Sequence, residues 1–334
     1  MLAMTCDLHV HFPHSSRSRA WDGGGHRASL AMRLALGRRV LAQGGLAASS
    51  EDALAFLAGC MDRASTDQFV VLALDEPRFE DGTAANAGYF ADNDTVARFC
   101  DGHPRSRFGA SVHPYRPDAC VELERLTGRG ACLVKWLPSY QRIDPASPRC
   151  IPFYEALAHF RLPLLSHTGV EHFLPGGDRR CNDPERLALA LHHGVTVIAA
   201  HCGARLMLHE PCRFEQWARM TLEHERFYGD LSAMVLPIRV SKLRRILDSA
   251  ALVSKVVYGS DFPAPAWPWA GVARFGLRRA RELAGIENAL DRPAAALRAL
   301  GFPEEVFTRA SGLLRHTRPR PASSTGEPIA ARGA

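Results

Sequence analysis

Eight short apolar segments, separated by stretches of helical character, predict that this 334-residue chain folds as a (β/α)8 barrel. The segments Val70–Leu74 and Val195–Ala200 are nearly all apolar, which is typical of parallel strands covered on both faces. No Gly-x-Gly-x-x-Gly follows a strand, so a dinucleotide-binding fold lacks its marker. We therefore expect one α/β barrel domain over residues 1–317 and a disordered, Pro/Ser/Ala/Gly-rich tail over residues 318–334.

The predicted strands alternate with the predicted helices along the chain. In order, the strands are Thr5–Phe12, Gln68–Leu74, Arg107–His113, Ala131–Leu137, Pro163–His167, Val195–His201, Phe227–Leu231 and Lys255–Asp261. The helical segments are Ala28–Gln43, Glu51–Met61, Pro152–Phe160, Arg186–His193, Cys212–Glu225, Ile238–Leu247, Trp269–Leu283 and Pro303–Leu314. Asp183 and Pro184 are typical of a helix N-terminus, and Gly194 is typical of a helix end.

The composition is that of a soluble globular protein, with 46% hydrophobic and 23% charged residues. The net charge of +6 is mild and the basic residues are scattered, so nucleic-acid binding is not expected. No apolar stretch approaches the ~20 residues of a membrane-spanning helix, and no signal peptide is visible. Nine cysteines without a Cys-x-x-Cys pair indicate reduced thiols in a cytoplasmic protein. The expected partners are a small-molecule substrate and, as an option, a second copy of the chain in a homodimer.

Polar side chains stand at the C-terminal ends of the predicted strands. The first strand ends in His9-Val10-His11, and residues i and i+2 of a strand share one face, so the two imidazoles lie side by side. Neutral imidazole is a good ligand for zinc and for other transition metals of the first row. The alternative to a metal site is a half-buried strand that happens to carry two histidines. Later strands end in His113, Lys135, His167, His201 and Asp261. Because catalytic residues of barrel enzymes gather at this face, the set predicts an active site.

In these residues and their order, the sequence resembles the metal-dependent amidohydrolase superfamily, in particular its amidohydrolase-2 branch of TIM-barrel hydrolases and decarboxylases. The resemblance covers nearly the whole chain. It implies that His9, His11 and His167 bind a divalent metal, with zinc as the expected ion. It implies that Asp261 is a further ligand and accepts a proton from the attacking water. It also implies that His201 binds a second metal or hydrogen-bonds the water or the substrate.

Lys135 lies at the position whose chemical state distinguishes two-metal from one-metal members of this superfamily. In two-metal members a lysine on strand four is carboxylated and bridges the metals, whereas in one-metal members of the branch it remains an ordinary ammonium. An unpaired ammonium in an apolar strand is costly. Lys135 is therefore expected to be carboxylated, neutral, or paired with an acid such as Asp261 or with a bound anion. Our working hypothesis is a metal-associated carbamate, with one or two divalent ions as the cofactor.

The chemistry of the residues supports a catalytic site over a structural zinc. A zinc ion lowers the pKa of bound water to about 7, which makes hydroxide available at neutral pH. A catalytic site keeps an open coordination position, whereas structural zinc is fully enclosed by ligands, and no finger-type cysteine and histidine spacing occurs here. The leading hypothesis is a hydrolase that cleaves a C–N or C–O bond of an amide, lactone or ester.

Two alternatives remain at this point. One is a zinc-dependent decarboxylase of an aromatic or unsaturated acid, because the amidohydrolase-2 branch contains such enzymes. The other is an inactive metal-binding scaffold, against which the retention of all the strand-end residues argues. The residues expected to contact a small and anionic substrate follow the strand ends or lie in loops near them: His113, His172, Arg179 and Arg205.

Overall fold

The computed structural model of the protein describes residues 4–13, 50–85, 90–171, 174 and 177–314. Eight strands form one sheet in sequence order, and each is parallel to the next. They are β1 Cys6–His11, β2 Gln68–Leu72, β3 Ser106–Ala110, β4 Leu133–Trp136, β5 Leu164–His167, β6 Val197–Ala200, β7 Phe227–Asp230 and β8 Val256–Val257. The predicted (β/α)8, or TIM, barrel is confirmed.

Backbone hydrogen bonds join β1 to the residues that follow β8, and they bring the two ends of the sheet together. The Leu8 N–H donates to Tyr258 O (3.2 Å), and the His11 N–H donates to Phe262 O (2.9 Å). In the other direction, the Asp261 N–H donates to His9 O (2.9 Å). Because these bonds join the first strand to the chain after the last one, His9, His11 and Asp261 are held at one edge of the barrel.

The lower interior of the barrel is filled by apolar side chains that come from six of the eight strands or lie next to them. This cluster contains Cys6, Leu8, Val70, Leu72, Cys132, Leu133, Leu165, Ile198, Ala200 and Val257, together with Ala310 and Leu314. The Ser311 hydroxyl donates to Met4 O just before β1, so the C-terminal helix covers the N-terminal end of the barrel. The opposite, C-terminal end is left for polar side chains, as is usual for this fold.

Helices cover the outside of the barrel in the described part of the chain. They are α1 Ser50–Arg63, α2 Asn93–Asp101, α3 Ala119–Gly128, α4 Pro138–Gln141, α5 Ile151–Phe160, α6 Ala188–His192, α7 Phe214–Glu223, α8 Val240–Leu247, α9 Ala250–Val253, α10 Val272–Ala284, α11 Asp291–Leu300, α12 Glu305–Thr308 and α13 Ala310–Leu313. On α7 the buried residues Phe214, Trp217, Ala218 and Thr221 follow helical spacing, so one stripe packs on the strands.

The predicted helices differ from the observed ones in number and length. The sequence does not predict α2, α3, α4, α9 or α11. In α2, for example, only Asn93, Val96 and Ala97 are buried, which leaves a weak periodic signal. The single helix predicted over Pro303–Leu314 is two short helices, α12 and α13. Asp183 does cap a turn, since its side chain accepts the Glu185 N–H, although that turn is a 3₁₀ helix before α6.

Two predicted segments, Ala28–Gln43 and the tail over 318–334, lie outside the described residues. All nine cysteines are free in the structure. Within the described ranges, no helix is both long enough and apolar enough to cross a membrane.

Candidate metal centre

The two histidines of β1 lie side by side at the C-terminal mouth of the barrel. Their Nε2 atoms are 3.1 Å apart, as strand alternation predicted. The register against β2 shifts between Asp7 and Val10, and a bulge of this kind re-aims side chains at the rim of a barrel. The His9 side chain is fully buried, whereas 32% of the His11 side chain is exposed. His11 therefore faces the open mouth.

Asp261 completes a group of three converging ligand atoms. Its Oδ1 lies 3.2 Å from His9 Nε2 and 3.2 Å from His11 Nε2. Taken together, one ligand atom from each of these three residues lies within 4.8 Å of the others. Asp261 does not belong to a strand, in contrast to the predicted run Lys255–Asp261: β8 ends at Val257. The backbone of Asp261 is left-handed (φ 64°), a conformation that Asp tolerates better than most residues.

Lys135 on β4 enters the same cluster from the interior of the barrel. Its Nζ lies 3.0 Å from His9 Nε2, and its side chain is buried. Burial lowers the pKa of the Lys135 ammonium to about 8, although the nearby carboxylates of Asp230, Asp261 and Glu171 oppose this shift. A neutral amine is therefore accessible close to physiological pH.

His167 at the end of β5 offers a nitrogen that no other described residue uses. Its Nε2 is buried and has no hydrogen-bond partner among the residues that the structure describes, while its Nδ1 lies 3.6 Å from Glu171 Oε2. A buried polar nitrogen without a partner is unfavourable by about 1–3 kcal/mol, and it calls for an explanation. A metal ion close to this nitrogen would use its lone pair. The set of donors that converge within 4.8 Å consists of His9, His11 and Asp261 without His167, and these three fit the divalent ion that the resemblance implies.

His201 follows β6 in a short 3₁₀ turn rather than in the predicted strand. Its backbone is left-handed (φ 60°), which is unusual for a residue with a bulky side chain and is found most often at functional sites. The His201 ring lies with its centroid 4.9 Å from that of His167 and 5.6 Å from that of His9. Its Nδ1 is 2.9 Å from both the carbonyl oxygen and the hydroxyl of Ser232.

The electrostatics of the cluster favour neutral imidazoles beside ionised carboxylates. Burial lowers the pKa of His201 to about 4 and that of His167 well below its usual value. Burial alone would raise the pKa of Asp261, but the neighbouring imidazoles of His201, His9 and His11 hold it well below the ordinary value. Neutral nitrogen and carboxylate oxygen are the donors that zinc and similar ions bind.

The structure brings together all six residues predicted to bind metal or act in catalysis: His9, His11, Lys135, His167, His201 and Asp261. Their individual roles remain predictions.

Two buried charged residues of the same region were missed. Asp230 ends β7 and accepts a hydrogen bond from His9 Nδ1 (2.7 Å); as a polar residue at the end of an apolar run, it carried the same signal as the others. Arg239 is 4% exposed and donates to the carbonyl oxygens of Arg205 and Ala233, both at 3.2 Å. It ties the loop after β6 to the loop after β7.

The residues predicted to contact substrate are more dispersed. His113 is buried and uses both ring nitrogens on the backbone, because Nε2 lies 2.7 Å from Gln141 O and Nδ1 accepts the Tyr115 N–H. Arg179 is exposed, and Arg205 is half-buried in the loop after β6. His172 lies outside the described residues.

The Arg179–Asn182 turn is fastened to the C-terminal face of the barrel. Asn182 Nδ2 donates to Ser139 Oγ and to Gly169 O, both at 2.9 Å. These partners follow β4 and β5, so Arg179 lies on the face that carries the metal-ligand cluster.

Fold and site together define a TIM-barrel protein with a cluster of side chains at the C-terminal mouth that could hold a metal ion. The sequence model of the amidohydrolase-2 family, described as amidohydrolase, matches residues 6–301, and the chain belongs to this family. No curated protein matches the sequence.

Solved structures share the fold at low sequence identity. An uncharacterised TIM-barrel protein from Bordetella bronchiseptica has a TM-score of 0.57 and 15% identity, over 89% of this chain and 99% of its own. A protein assigned as a 2-pyrone-4,6-dicarboxylic acid hydrolase from Pseudomonas putida has a TM-score of 0.55 and 15% identity, over 94% and 98% of the two chains. A 2,6-dihydroxybenzoate decarboxylase has a TM-score of 0.50 and 14% identity, over 90% and 99%.

Proposed function

We propose that the protein is a metal-dependent hydrolase that cleaves a C–N or C–O bond of a small substrate such as an amide, a lactone or an ester. The observation that carries the proposal is the convergence of His9 Nε2, His11 Nε2 and Asp261 Oδ1 at the barrel mouth. Membership of the amidohydrolase family supports it. The P. putida neighbour, whose printed name is that of a pyrone hydrolase, suggests lactones with carboxylate groups as first substrates to test.

The ligand set fits a divalent ion of the zinc type. His9, His11 and Asp261 would hold the ion, and the unpartnered Nε2 of His167 would add a fourth donor. Three or four protein donors with an open position are typical of catalytic rather than structural zinc. When bound, the ion supplies Lewis-acid activation of water and of the scissile group.

The side chains around the ion would handle the proton and the substrate. Asp261 is ionised and reaches the mouth, so it can accept a proton from the attacking water and pass it to the leaving group. His201 keeps Nε2 free because a carbonyl oxygen faces its Nδ1, so it can hydrogen-bond the water or the substrate. Arg179 and Arg205 would contact an anionic part of the substrate.

Lys135 would decide the number of ions. Its lowered pKa supports a population of neutral amine, which is the form that reacts with carbon dioxide to give a carbamate. A carboxylated Lys135 would support a second ion with His201 as a ligand, whereas an unmodified amine would leave a one-metal site.

A decarboxylase of an aromatic or unsaturated acid is the second candidate. It is favoured by the similarity in fold to the 2,6-dihydroxybenzoate decarboxylase. In that case carboxylate and hydroxyl oxygens of the substrate would be held by the bound ion. Asp261 or His201 would take a proton from water and pass it to the carbon that loses CO2.

Elemental analysis and a paired substrate screen test the proposal. Purified wild-type protein is expected to hold about one or two divalent ions per chain, and His11→Gln is expected to lose them. His159→Gln changes an exposed histidine and serves as the matched control. Lactones, amides, esters and aromatic acids are then assayed for hydrolysis and for CO2 release. Turnover by metal-free protein would refute the mechanism, and CO2 release alone would replace hydrolysis by decarboxylation.

A further inference from the structure

The carboxylate of Asp230 is shared between two candidate ligands that come from opposite sides of the site. Its Oδ2 accepts from His9 Nδ1 on β1 at 2.7 Å. Its Oδ1 accepts the backbone N–H of His201 after β6 at 2.8 Å. Both the Asp230 side chain and the His9 side chain are completely buried. One carboxylate therefore connects strands β1, β6 and β7 directly below the metal-ligand cluster.

The two oxygens of Asp230 have unequal numbers of donors. Three donors converge on Oδ1: the backbone N–H of His201, the backbone N–H of Ser232 (3.1 Å), and the Ser232 hydroxyl. Within the described part of the chain, Oδ2 receives only the imidazole of His9. Because a carboxylate that receives several N–H and O–H groups is held in its ionised, acceptor-only form, the ring proton of His9 must reside on Nδ1. The Nε2 lone pair of His9 then faces the metal-ligand cluster, where Lys135 Nζ lies 3.0 Å away.

His201 is held by the same group through Ser232. Its Nδ1 lies 2.9 Å from the Ser232 carbonyl oxygen, which can only accept, so His201 also carries its proton on Nδ1. Ser232 is in turn fixed by its two bonds to Asp230.

We propose that Asp230 is a positioning residue that sets the tautomer of His9, so that Nε2 faces the metal, and that holds the backbone carrying His201 in register with it. The inference rests on the proposed metal-binding function. Groups that hydrogen-bond the second nitrogen of a metal-binding histidine commonly contribute 10–100-fold to metal affinity.

The Asp230→Asn substitution tests this role with little change in shape. Since three donors meet at the Oδ1 position, the amide oxygen must occupy that position and the amide NH2 must occupy the Oδ2 position. The NH2 group then donates to His9 Nδ1, and the ring proton of His9 moves to Nε2. This places a hydrogen where the metal should bind, so a substitution of one oxygen by nitrogen acts on His9 and leaves the contacts of His201 in place.

Ser232→Ala is the matched control. It removes the hydroxyl that bonds Asp230 Oδ1 and lies 2.9 Å from His201 Nδ1. It leaves the Oδ2 contact with His9 and the backbone carbonyl that faces His201. A merely structural role for the buried polar network would make both variants lose stability without separating them in tautomer or in metal affinity.

Two measurements on the full chain decide the matter. In metal-free protein labelled with 15N-histidine, we expect His9 to be Nδ1-protonated in the wild type and in Ser232→Ala, and Nε2-protonated in Asp230→Asn; the signal is assigned by its absence from His9→Gln. In Zn²⁺ competition titrations, we expect affinity 10–100-fold weaker in Asp230→Asn and within about threefold of wild type in Ser232→Ala.

Each outcome has a definite meaning. An Nε2-protonated His9 in the wild type overturns the inference, and this result requires only the assignment variant His9→Gln to fold, not Asp230→Asn. Unchanged zinc affinity in a folded Asp230→Asn protein also overturns it. Failure of the wild type to bind zinc, manganese or iron(II) would instead refute the proposed function, while the tautomer measurement would still test the role of Asp230.

Discussion

Gly259 lies directly after β8 against the first strand, and a methyl group there would test whether His9 must occupy its observed position. A Cβ at Gly259 meets His9 Cβ at 2.7 Å, Ser232 Cβ at 3.4 Å and Asp230 Oδ2 at 3.6 Å. Carbon atoms normally pack at about 3.5–4.0 Å. Because both carbons of the closest pair are attached directly to backbone, neither can rotate away. The Gly259→Ala substitution therefore has to displace His9 or the β8 backbone by roughly 1 Å.

This displacement has two expected consequences. Overpacking of a buried site costs about 1–3 kcal/mol, which corresponds to a Tm lower by roughly 2–5 °C in a domain of this size. Ligand distances in metal sites hold to within about 0.2 Å, so a shift of His9 several times larger should weaken zinc binding at least ~10-fold, or about 1.4 kcal/mol. The stability loss and the affinity loss should appear together.

Thermal unfolding of metal-free protein and zinc competition with a chromophoric chelator measure these effects. In the control Gly109→Ala, the new Cβ meets Leu72 Cδ2 at 2.6 Å and Val70 Cγ1 at 3.0 Å, among the apolar side chains of the barrel interior. It should lower Tm but keep zinc affinity within about twofold of wild type. A folded Gly259→Ala protein that binds zinc as tightly as the wild type would refute the assignment of His9 as a ligand held in a single position.

Three further predictions concern individual titratable groups. Asp261→Asn should keep its fold by circular dichroism but lose about 10²–10⁴-fold in kcat; wild-type turnover would remove Asp261 from the chemical step. Burial lowers the pKa of His113 to about 4, so the unfolded chain binds a proton that the native protein does not, and stability should fall as pH falls from about 6.5 to about 4. Urea titrations across that range measure the free energy of unfolding at each pH. In His113→Gln the total decrease of this free energy should be smaller than in the wild type by up to about 3 kcal/mol. An unchanged decrease would contradict His113 as its origin. With 13C-bicarbonate, the wild type should show a carbamate carbon signal that Lys135→Met lacks; its absence from metal-loaded wild type would contradict carboxylation.

Much of this architecture is readable from the sequence because the physical signal is local. Each strand is a short apolar run. A histidine, lysine or aspartate at or near the end of such a run can be recognised from its immediate neighbours in sequence. Asp230 carried that signal too, but its meaning depends on His9, which lies 221 residues away in sequence. The bulge in β1 and the left-handed backbones of His201 and Asp261 arise from tertiary contacts, which no periodicity encodes.

The buried charges at the mouth determine how a metal ion and Lys135 can coexist. Lys135 Nζ lies 3.0 Å from His9 Nε2, the same lone pair that a metal ion would use. An ammonium and a metal cannot share it, so metal binding requires Lys135 to turn away, lose its proton or gain an anionic group. Because burial lowers its pKa to about 8, loss of the proton needs little free energy near neutral pH. A carbamate would then add a second anionic ligand beside Asp261 and favour a neutral substrate, whereas a free amine would leave that position to an anion of the substrate. Under the proposed function, the state of Lys135 would therefore set both the number of ions and the charge of the molecule that the site accepts.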